Sequence, residues 1–471
     1  MSTPTGIFLF DTQSHSTQEL QISDNNELRL YCCGPTVYRD AHVGNLRTFL
    51  LADLILRLAK MKGHRVRLIQ NITDVGHMGS DFQGADEEDK VLAEAQRVKV
   101  DPLDIARRYE TKFHADVAAI GITPANLYPR ASDSIELMHN LISELIDNDS
   151  AYVGTDGNVY FDAQSFPSYG AISGNRLDSL KPGNKFEFTE DAGKKFHADW
   201  ALWKLAKDRT TMIWDSPWGA GFPGWHIECS AMSLHHLNGH IDVHLGGIDL
   251  RFPHHENERA QSNAIAGSEV TDIWLHGEHL LFEGRKMSKS ARNVLLVSDL
   301  IRDGYDPLAA RLCFMENKYR SQMDLTWSAI EAADSTLKRW RRKYQEWRKD
   351  ELVADKVLAQ GLIDDIISIL SNDLDTPKAI IKLREIERDE AITGQTRADV
   401  FEVLDQFFAL NISPELEVRT LEVDEQVLLD ERILARANKD FARSDSLRDQ
   451  LLLKNIRVID TSGGQTWESI D

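Results

Sequence analysis

Apolar positions in the first seventy residues change period twice. Leu28 to Tyr31 alternate apolar and polar and run into Cys32-Cys33-Gly34-Pro35, which predicts a strand ending in a turn. After His42-Val43-Gly44-Asn45, apolar residues recur at Leu46, Phe49, Leu50, Leu54 and Leu58, a helical period. Gly63 is a suitable stop, and Val66, Leu68 and Ile69 begin a second strand. Strand, turn, helix and strand make the βαβ unit of a parallel sheet. Ligands of such sheets bind outside the carboxyl ends of the strands, where Cys33 and His42 both fall.

Beyond this unit the pattern divides the chain. Residues 1–115 and 206–325 read as two halves of one nucleotide-binding domain, and 116–205, where Asn158 to Asp162 suggests a short strand, as an insertion between them. Residues 81–90 are acidic and polar and predict a loop. Residues 326–412 are helical in period with few glycines, and the acidic stretch Glu415 to Glu425 reads as a linker into a small module within 413–471. The expected fold is α/β: a Rossmann-like parallel-sheet domain with an insertion, then a helical bundle, then the C-terminal module.

Composition narrows the function. The 471 residues are 42% hydrophobic and 27% charged, as in globular proteins. No apolar run is long enough to span a membrane, and the N-terminus lacks the basic start and apolar core of a secretory signal, so a cytoplasmic protein is expected. A net charge of −21 argues against nonspecific nucleic-acid binding, which favours basic surfaces. One basic run exists: Lys338 to Lys349 holds seven basic residues and one acid, with Trp340, Tyr344 and Trp347 at helical spacing. It reads as an amphipathic helix with a solvated basic face or as a local RNA-binding patch. The four cysteines, Cys32, Cys33, Cys229 and Cys313, are too few for a disulfide framework.

Three short segments carry chemistry. His254 and Glu258, in Phe252-Pro253-His254-His255-Glu256-Asn257-Glu258, share a helix face, with His255 and Glu256 pointing elsewhere. Cys229 and Cys33 would complete a tetrahedral set suited to zinc. Spacing leaves this open, because the cysteines are distant in sequence and core burial is their common fate. Cys32 and Cys33 point to opposite strand faces, so at most one serves a site; Cys32 and Cys313 are assigned to the core. His42-Val43-Gly44-Asn45 opens a helix, whose N-terminus attracts phosphate. Gly246-Gly247-Ile248-Asp249 reads as a second glycine-rich turn with an acid for ribose hydroxyls. Lys286-Met287-Ser288-Lys289-Ser290 places two lysines and two hydroxyls on one loop, fit to stabilise charge on a polyphosphate.

Together these segments resemble the class I aminoacyl-tRNA synthetases, His-Val-Gly-Asn the first signature of that class and Lys-Met-Ser-Lys-Ser the second. Tyr31 to Tyr38, Asn71 to Asp74, Pro223 to Met232, Phe252 to Glu258 and the tail Ala435 to Trp467 are similar to the cysteine-specific family, so the resemblance covers nearly the whole chain. It implies ATP-dependent ligation of cysteine to tRNA(Cys) by way of cysteinyl-adenylate. Cys33, Cys229, His254 and Glu258 are then the ligands of one zinc ion, with magnesium accompanying ATP. Thr73, Trp225 and His226 would bind cysteine. His42, Asn45, Lys286 and Lys289 would carry the catalytic charge, and Gly34, Thr36, Gly44, Gly246 and Asp249 would complete the ATP site. Residues 326–412 would contact the tRNA stem, and Arg436, Phe441, Asp445 and Asp460 would read the anticodon. A monomer is expected. Two departures stand out: Asn45 replaces the usual histidine, and Ala291-Arg292-Asn293 replaces leucine-glycine-asparagine after the lysine loop. The rival readings are a cysteine ligase acting on an amino sugar, which needs no anticodon module, and an inactive tRNA-binding paralogue.

Overall fold

The computed structural model describes residues 3–22, 26–75, 89–181, 193–287, 293–413, 423–454, 456–461 and 464–469. The chain divides into two compact units, Met1–Ser413 and Pro414–Asp471. Most of the acidic stretch from Glu415, and residues 81–88 of the expected acidic loop, lie outside the described residues.

At the centre of the first unit is a parallel sheet. Strand β1 (Glu27–Cys32) leads through helix α1 (Val43–Met61) to β2 (Arg65–Gln70). Strands β3 (Ile241–Gly247) and β4 (Thr271–Gly277) lie on the other side of β1, giving the order β4-β3-β1-β2. The register pairs Cys32 with Gln70 on one side and with Leu245 on the other. The chain therefore leaves β1 in one direction and returns in the other. The carboxyl ends of β1 and β3 flank the resulting switch point, the usual seat of a ligand. Helix α1 is apolar around most of its circumference, from Leu46 to Ala59, and is buried accordingly.

An N-terminal hairpin, Thr3–Asp11 with Ser16–Ile22, covers the β4 edge. The Thr12 N–H donates to the Trp274 carbonyl at 2.8 Å and the Trp274 N–H to Asp11 Oδ1 at 2.9 Å. A four-stranded antiparallel sheet is built from Ala151–Val153, Val159–Phe161, Trp200–Leu205 and Gly221–Pro223. Four helices follow: Trp327–Trp347, Lys356–Ser371, Thr376–Arg388 and Gly394–Phe408.

The basic run lies on the first of these helices, with Trp340, Tyr344 and Trp347 buried. Its charges are largely matched within the fold. Arg339 and Lys343 pair with Glu387, Arg341 with Asp306, Arg348 with Asp399 and Glu402, and Lys338 with Asp334. With its aromatics buried and most of its charges carboxylate-matched, the run has the amphipathic form that the first of its two sequence readings expects.

The second unit holds helices Val423–Ala437 and Phe441–Leu452 and the hairpin Ile456–Thr461/Gly464–Ser469 around Leu429, Leu451, Ile456 and Val458. Among the described residues no helix is long and apolar enough to cross a membrane.

Candidate metal and nucleotide site

Cys33 stands one residue past β1, its N–H bonded to the Leu245 carbonyl at 3.2 Å. It faces helices α2 (Trp225–His236) and α3 (His254–Ala266). Cys229 comes from α2; His254 and Glu258 come from one turn of α3. His254 Nε2 lies 3.0 Å from Glu258 Oε1, and Cys33 Sγ lies 3.9 Å from Cys229 Sγ and 3.5 Å from Glu258 Oε1. One donor atom from each of Cys33, Cys229, His254 and Glu258 falls within 4.8 Å of the others, all buried.

This cluster is electrostatically incomplete. Burial pushes the Glu258 carboxyl well above its ordinary range, and Glu258 Oε2 has no hydrogen-bond partner. Burial raises the Cys33 thiol too; for Cys229 the hydrogen bond from Cys33 and nearby His254 outweigh burial and bring it to about 7. Two thiols, an imidazole and a carboxylate converging without a lysine or arginine among the described residues suit a cation, and the donor set suits zinc.

One expectation fails here. His255 does not point away from the cluster: its Nε2 lies 3.4 Å from Cys33 Sγ. His244, which the sequence reading passed over, brings Nε2 to 3.5 Å from Cys33 Sγ and 3.4 Å from Glu258 Oε2. Cys33, His244, His255 and Glu258 thus form a second donor set sharing two members with the first. His255 reaches the cluster because it lies at i,i+3 to Glu258 and the β3 backbone makes room. A Cβ on Gly246 would sit 2.9 Å from His255 Nε2. Gly246 is also not in a turn: it and Gly247 end β3. The signal for His244 was an imidazole flanked by Val243 and Leu245 in a buried strand. Glu256 does turn away, accepting from the N–H groups of Ile172 and Ser173.

The cluster opens onto a cleft of ≈ 390 Å³ at the switch point. Cys33, Cys229, His254, Trp225 and Thr73 wall its inner end, and Gly34, Thr36, Asn45 and Asp249 wall the remainder. The Trp225 ring stacks on His254 with centroids 4.3 Å apart. His226 is not part of the wall. It is buried behind His254, with the two Nδ1 atoms 2.9 Å apart. Gly34 permits a close backbone crossing, because a Cβ there would lie 1.6 Å from the Asn71 carbonyl oxygen. Thr36 bridges Thr73 in the same crossing.

His42 caps α1. Its Nδ1 accepts from the Asn45 N–H at 3.3 Å, and Asn45 Oδ1 accepts from the His42 N–H at 3.1 Å. With Nδ1 accepting, the ring proton of neutral His42 is on Nε2. Burial, aided by Arg39, lowers the His42 pKa to about 4, so the ring is neutral at neutral pH. A Cβ on Gly44 would meet Met287 Cε at 2.9 Å and the His42 ring at 3.0 Å, so this glycine lets the lysine-loop segment pack against the cap. Lys286 is exposed on the short strand Arg285–Lys286, held by Asn293 Nδ2 to the Lys286 carbonyl. Lys289 lies outside the described residues.

In the second unit Arg436, Phe441 and Asp445 are exposed, Phe441 at 61%. Asp445 lies 3.4 Å from Arg448. Asp460 is on the first strand of the hairpin.

A parallel sheet with a capped His-Val-Gly-Asn turn at its switch point is the catalytic architecture of a class I tRNA synthetase. Residues 19–335 match the family model of the class I (C) tRNA synthetase catalytic domain. The fold is shared with methionyl-tRNA synthetase of Mycobacterium tuberculosis bound by methionyl-adenylate (TM-score 0.56, 14% identity, 81% of this chain and 90% of that one). It is shared too with a putative arginyl-tRNA synthetase of Campylobacter jejuni (TM-score 0.51, 11% identity, 82% and 91%). Within the class the likeness is closer to one family. The chain is 37% identical to the cysteine–tRNA ligase of Thermus thermophilus over 98% of this chain and 99% of that protein, and 35% identical to that of Salinibacter ruber over 99% of each. It belongs to the cysteine–tRNA ligase family.

Proposed function

We propose that this protein activates cysteine with ATP to cysteinyl-adenylate and transfers the cysteinyl group to tRNA(Cys). The observation that carries the reading is the buried Cys33/Cys229/His254/Glu258 cluster, three of whose members line a cleft that Asn45 of the α1 cap also lines. Cys33, Cys229, His254 and Glu258 would hold zinc, which would supply a soft Lewis acid suited to a thiol side chain and poorly suited to the hydroxyl of serine. Selection by size alone would separate cysteine from serine by only about 1–3 kcal/mol.

The residues of the chain do the rest by position and charge. Trp225 and Thr73 bound the cysteine side chain, and His226 orients His254 from behind rather than touching substrate. His42 presents Nε2–H to the phosphates. Asn45 spends Oδ1 on the cap and keeps Nδ2 for the same phosphates. Lys286 and Lys289 oppose the charge that develops as pyrophosphate leaves, and magnesium accompanies the nucleotide. Gly34, Thr36, Gly44, Gly246 and Asp249 frame ATP, Gly246 indirectly by seating His255. Residues 1–115 and 206–325 form the catalytic domain and 116–205 its insertion. Residues 326–412 meet the tRNA stem, and 413–471, through Arg436, Phe441, Asp445 and Asp460, reads the anticodon.

The test is charging of tRNA(Cys) by purified protein with cysteine or serine, with and without a zinc chelator. Charging with cysteine alone, lost with the metal, is expected. Pyrophosphate exchange with cysteine but no tRNA charging would replace the reading with ligation to a different acceptor, the amine of an amino sugar in place of a ribose hydroxyl of tRNA. Inertness in both assays, with metal bound, would make the chain a tRNA-binding paralogue.

A further inference from the structure

Cys33 and Glu258 belong to both donor sets, so the first set prevails only if His244 and His255 are kept from ligating. We propose that Thr12 is a positioning residue that does this through His276 and His255, making His255 a hydrogen-bond donor to the Cys33 sulfur. The inference rests on the metal reading above and adds residues far outside the ligand set.

Thr12 Oγ1 lies 2.8 Å from His276 Nδ1, His276 Nε2 lies 2.9 Å from His255 Nδ1, and His255 Nε2 lies 3.4 Å from Cys33 Sγ. All four residues are buried. A neutral imidazole has one N–H and one lone pair, so the chain runs wholly one way or wholly the other. Among the described residues the Thr12 hydroxyl makes no other hydrogen bond. Were it to accept from His276, its own hydrogen would be left unpaired in a residue only 7% exposed, which costs about 1–3 kcal/mol. Thr12 therefore donates. His276 then carries its proton on Nε2 and gives it to His255 Nδ1, and His255 carries its proton on Nε2, facing sulfur.

His244 reaches the same state independently. Its Nδ1 is buried without a partner, and an orphaned N–H is rarer than an orphaned acceptor. Its proton is then on Nε2, facing Glu258 Oε2 and Cys33 Sγ. Both imidazoles offer N–H to the shared ligands and neither offers a lone pair, which leaves the ion to Cys33, Cys229, His254 and Glu258. Thr12 is held in place by its backbone bond to Trp274 in β4.

Cobalt(II) binding to the full chain tests this, because sulfur-to-cobalt charge transfer reports the number of thiolates. The unmodified protein and Thr12→Ser, which keeps the donor, should show equal two-thiolate intensity. In Thr12→Asp the carboxylate only accepts, which reverses the chain and turns the His255 lone pair toward the site. Intensity per bound cobalt should fall to about half, because the His255 lone pair then competes with Cys229 for the ion while His244 still offers only N–H. Adding His276→Gln, whose amide can donate to His255 whatever stands at position 12, should restore it. Unchanged intensity in folded Thr12→Asp overturns the proposal. So does a nitrogen-15 spectrum of the unmodified protein showing His255 protonated on Nδ1, a measurement that needs no variant to fold. Failure of the unmodified protein to bind cobalt at all would instead bring down the metal reading.

Discussion

His42 and Asn45 hold each other at the start of α1, each side chain accepting the other's backbone N–H, at 3.3 and 3.1 Å. The same histidine is assigned to phosphate, so capping and chemistry use opposite edges of one ring. His42→Asn keeps a cap acceptor and loses the Nε2–H. The melting temperature should change little, while cysteine-dependent pyrophosphate exchange should fall about 10²–10³-fold. His42→Ala should lose activity equally and a further ~1 kcal/mol of stability, measured by urea unfolding. Equal stability of the two variants would refute the cap.

Gly44 is where the two signature segments touch. Gly44→Ala places a Cβ 3.0 Å from a ring that cannot retreat without breaking its cap, and 2.9 Å from Met287 Cε. The variant should fold, retain metal and lose about 10²-fold in exchange rate through misplacement of His42. A folded Gly44→Ala enzyme of full activity would show that the contact has no functional weight.

Arg311 is wholly buried and binds Asp53 at 2.6 Å. It also donates to the carbonyls of Ile120, Gly121 and Phe408, tying α1 to the ends of two other helices. Arg311→Met takes the guanidinium from the Ile120 and Phe408 carbonyls, although Arg57 still pairs with Asp53 and donates to the Gly121 carbonyl. The cost should be about 3 kcal/mol in chemical denaturation. A loss under 1 kcal/mol would mean the network is dispensable.

His240 bridges Asp242 on β3 and Asp272 on β4, at 3.3 and 3.1 Å, and hydrogen bonds to both raise its pKa to about 9. A raised folded pKa stabilises fully below the unfolded value near 6.5 and is lost as pH rises through about 9. The melting-temperature difference between the native protein and His240→Asn should be largest at pH 6 and vanish near pH 10. A pH-independent difference would assign the residue a packing role alone.

Much of this architecture was readable along the chain, because its information is local. The change from strand period to helical period around Cys33 and Val43 reported the βαβ unit, and i,i+4 spacing put His254 and Glu258 on one face. Those patterns depend on backbone geometry that any strand or helix shares. Grouping the two with Cys33 and Cys229 needed a family resemblance, since helix periodicity says nothing about residues some 200 positions apart.

Other features depended on how the elements pack. His255 was expected to face away, since one face of a helix was taken to meet one partner; α3 is buried on several sides and meets β3 as well as α2. The basic run from Lys338 was ambiguous until Glu387, Asp306 and Asp399 arrived from other helices to match it. The tautomer of His255 follows from a partner as far away as Thr12. Periodicity is written into consecutive residues by the geometry of one hydrogen-bonded element. The neighbours that neutralise a charge or orient a proton are selected by close packing between elements, and no short stretch of sequence contains them.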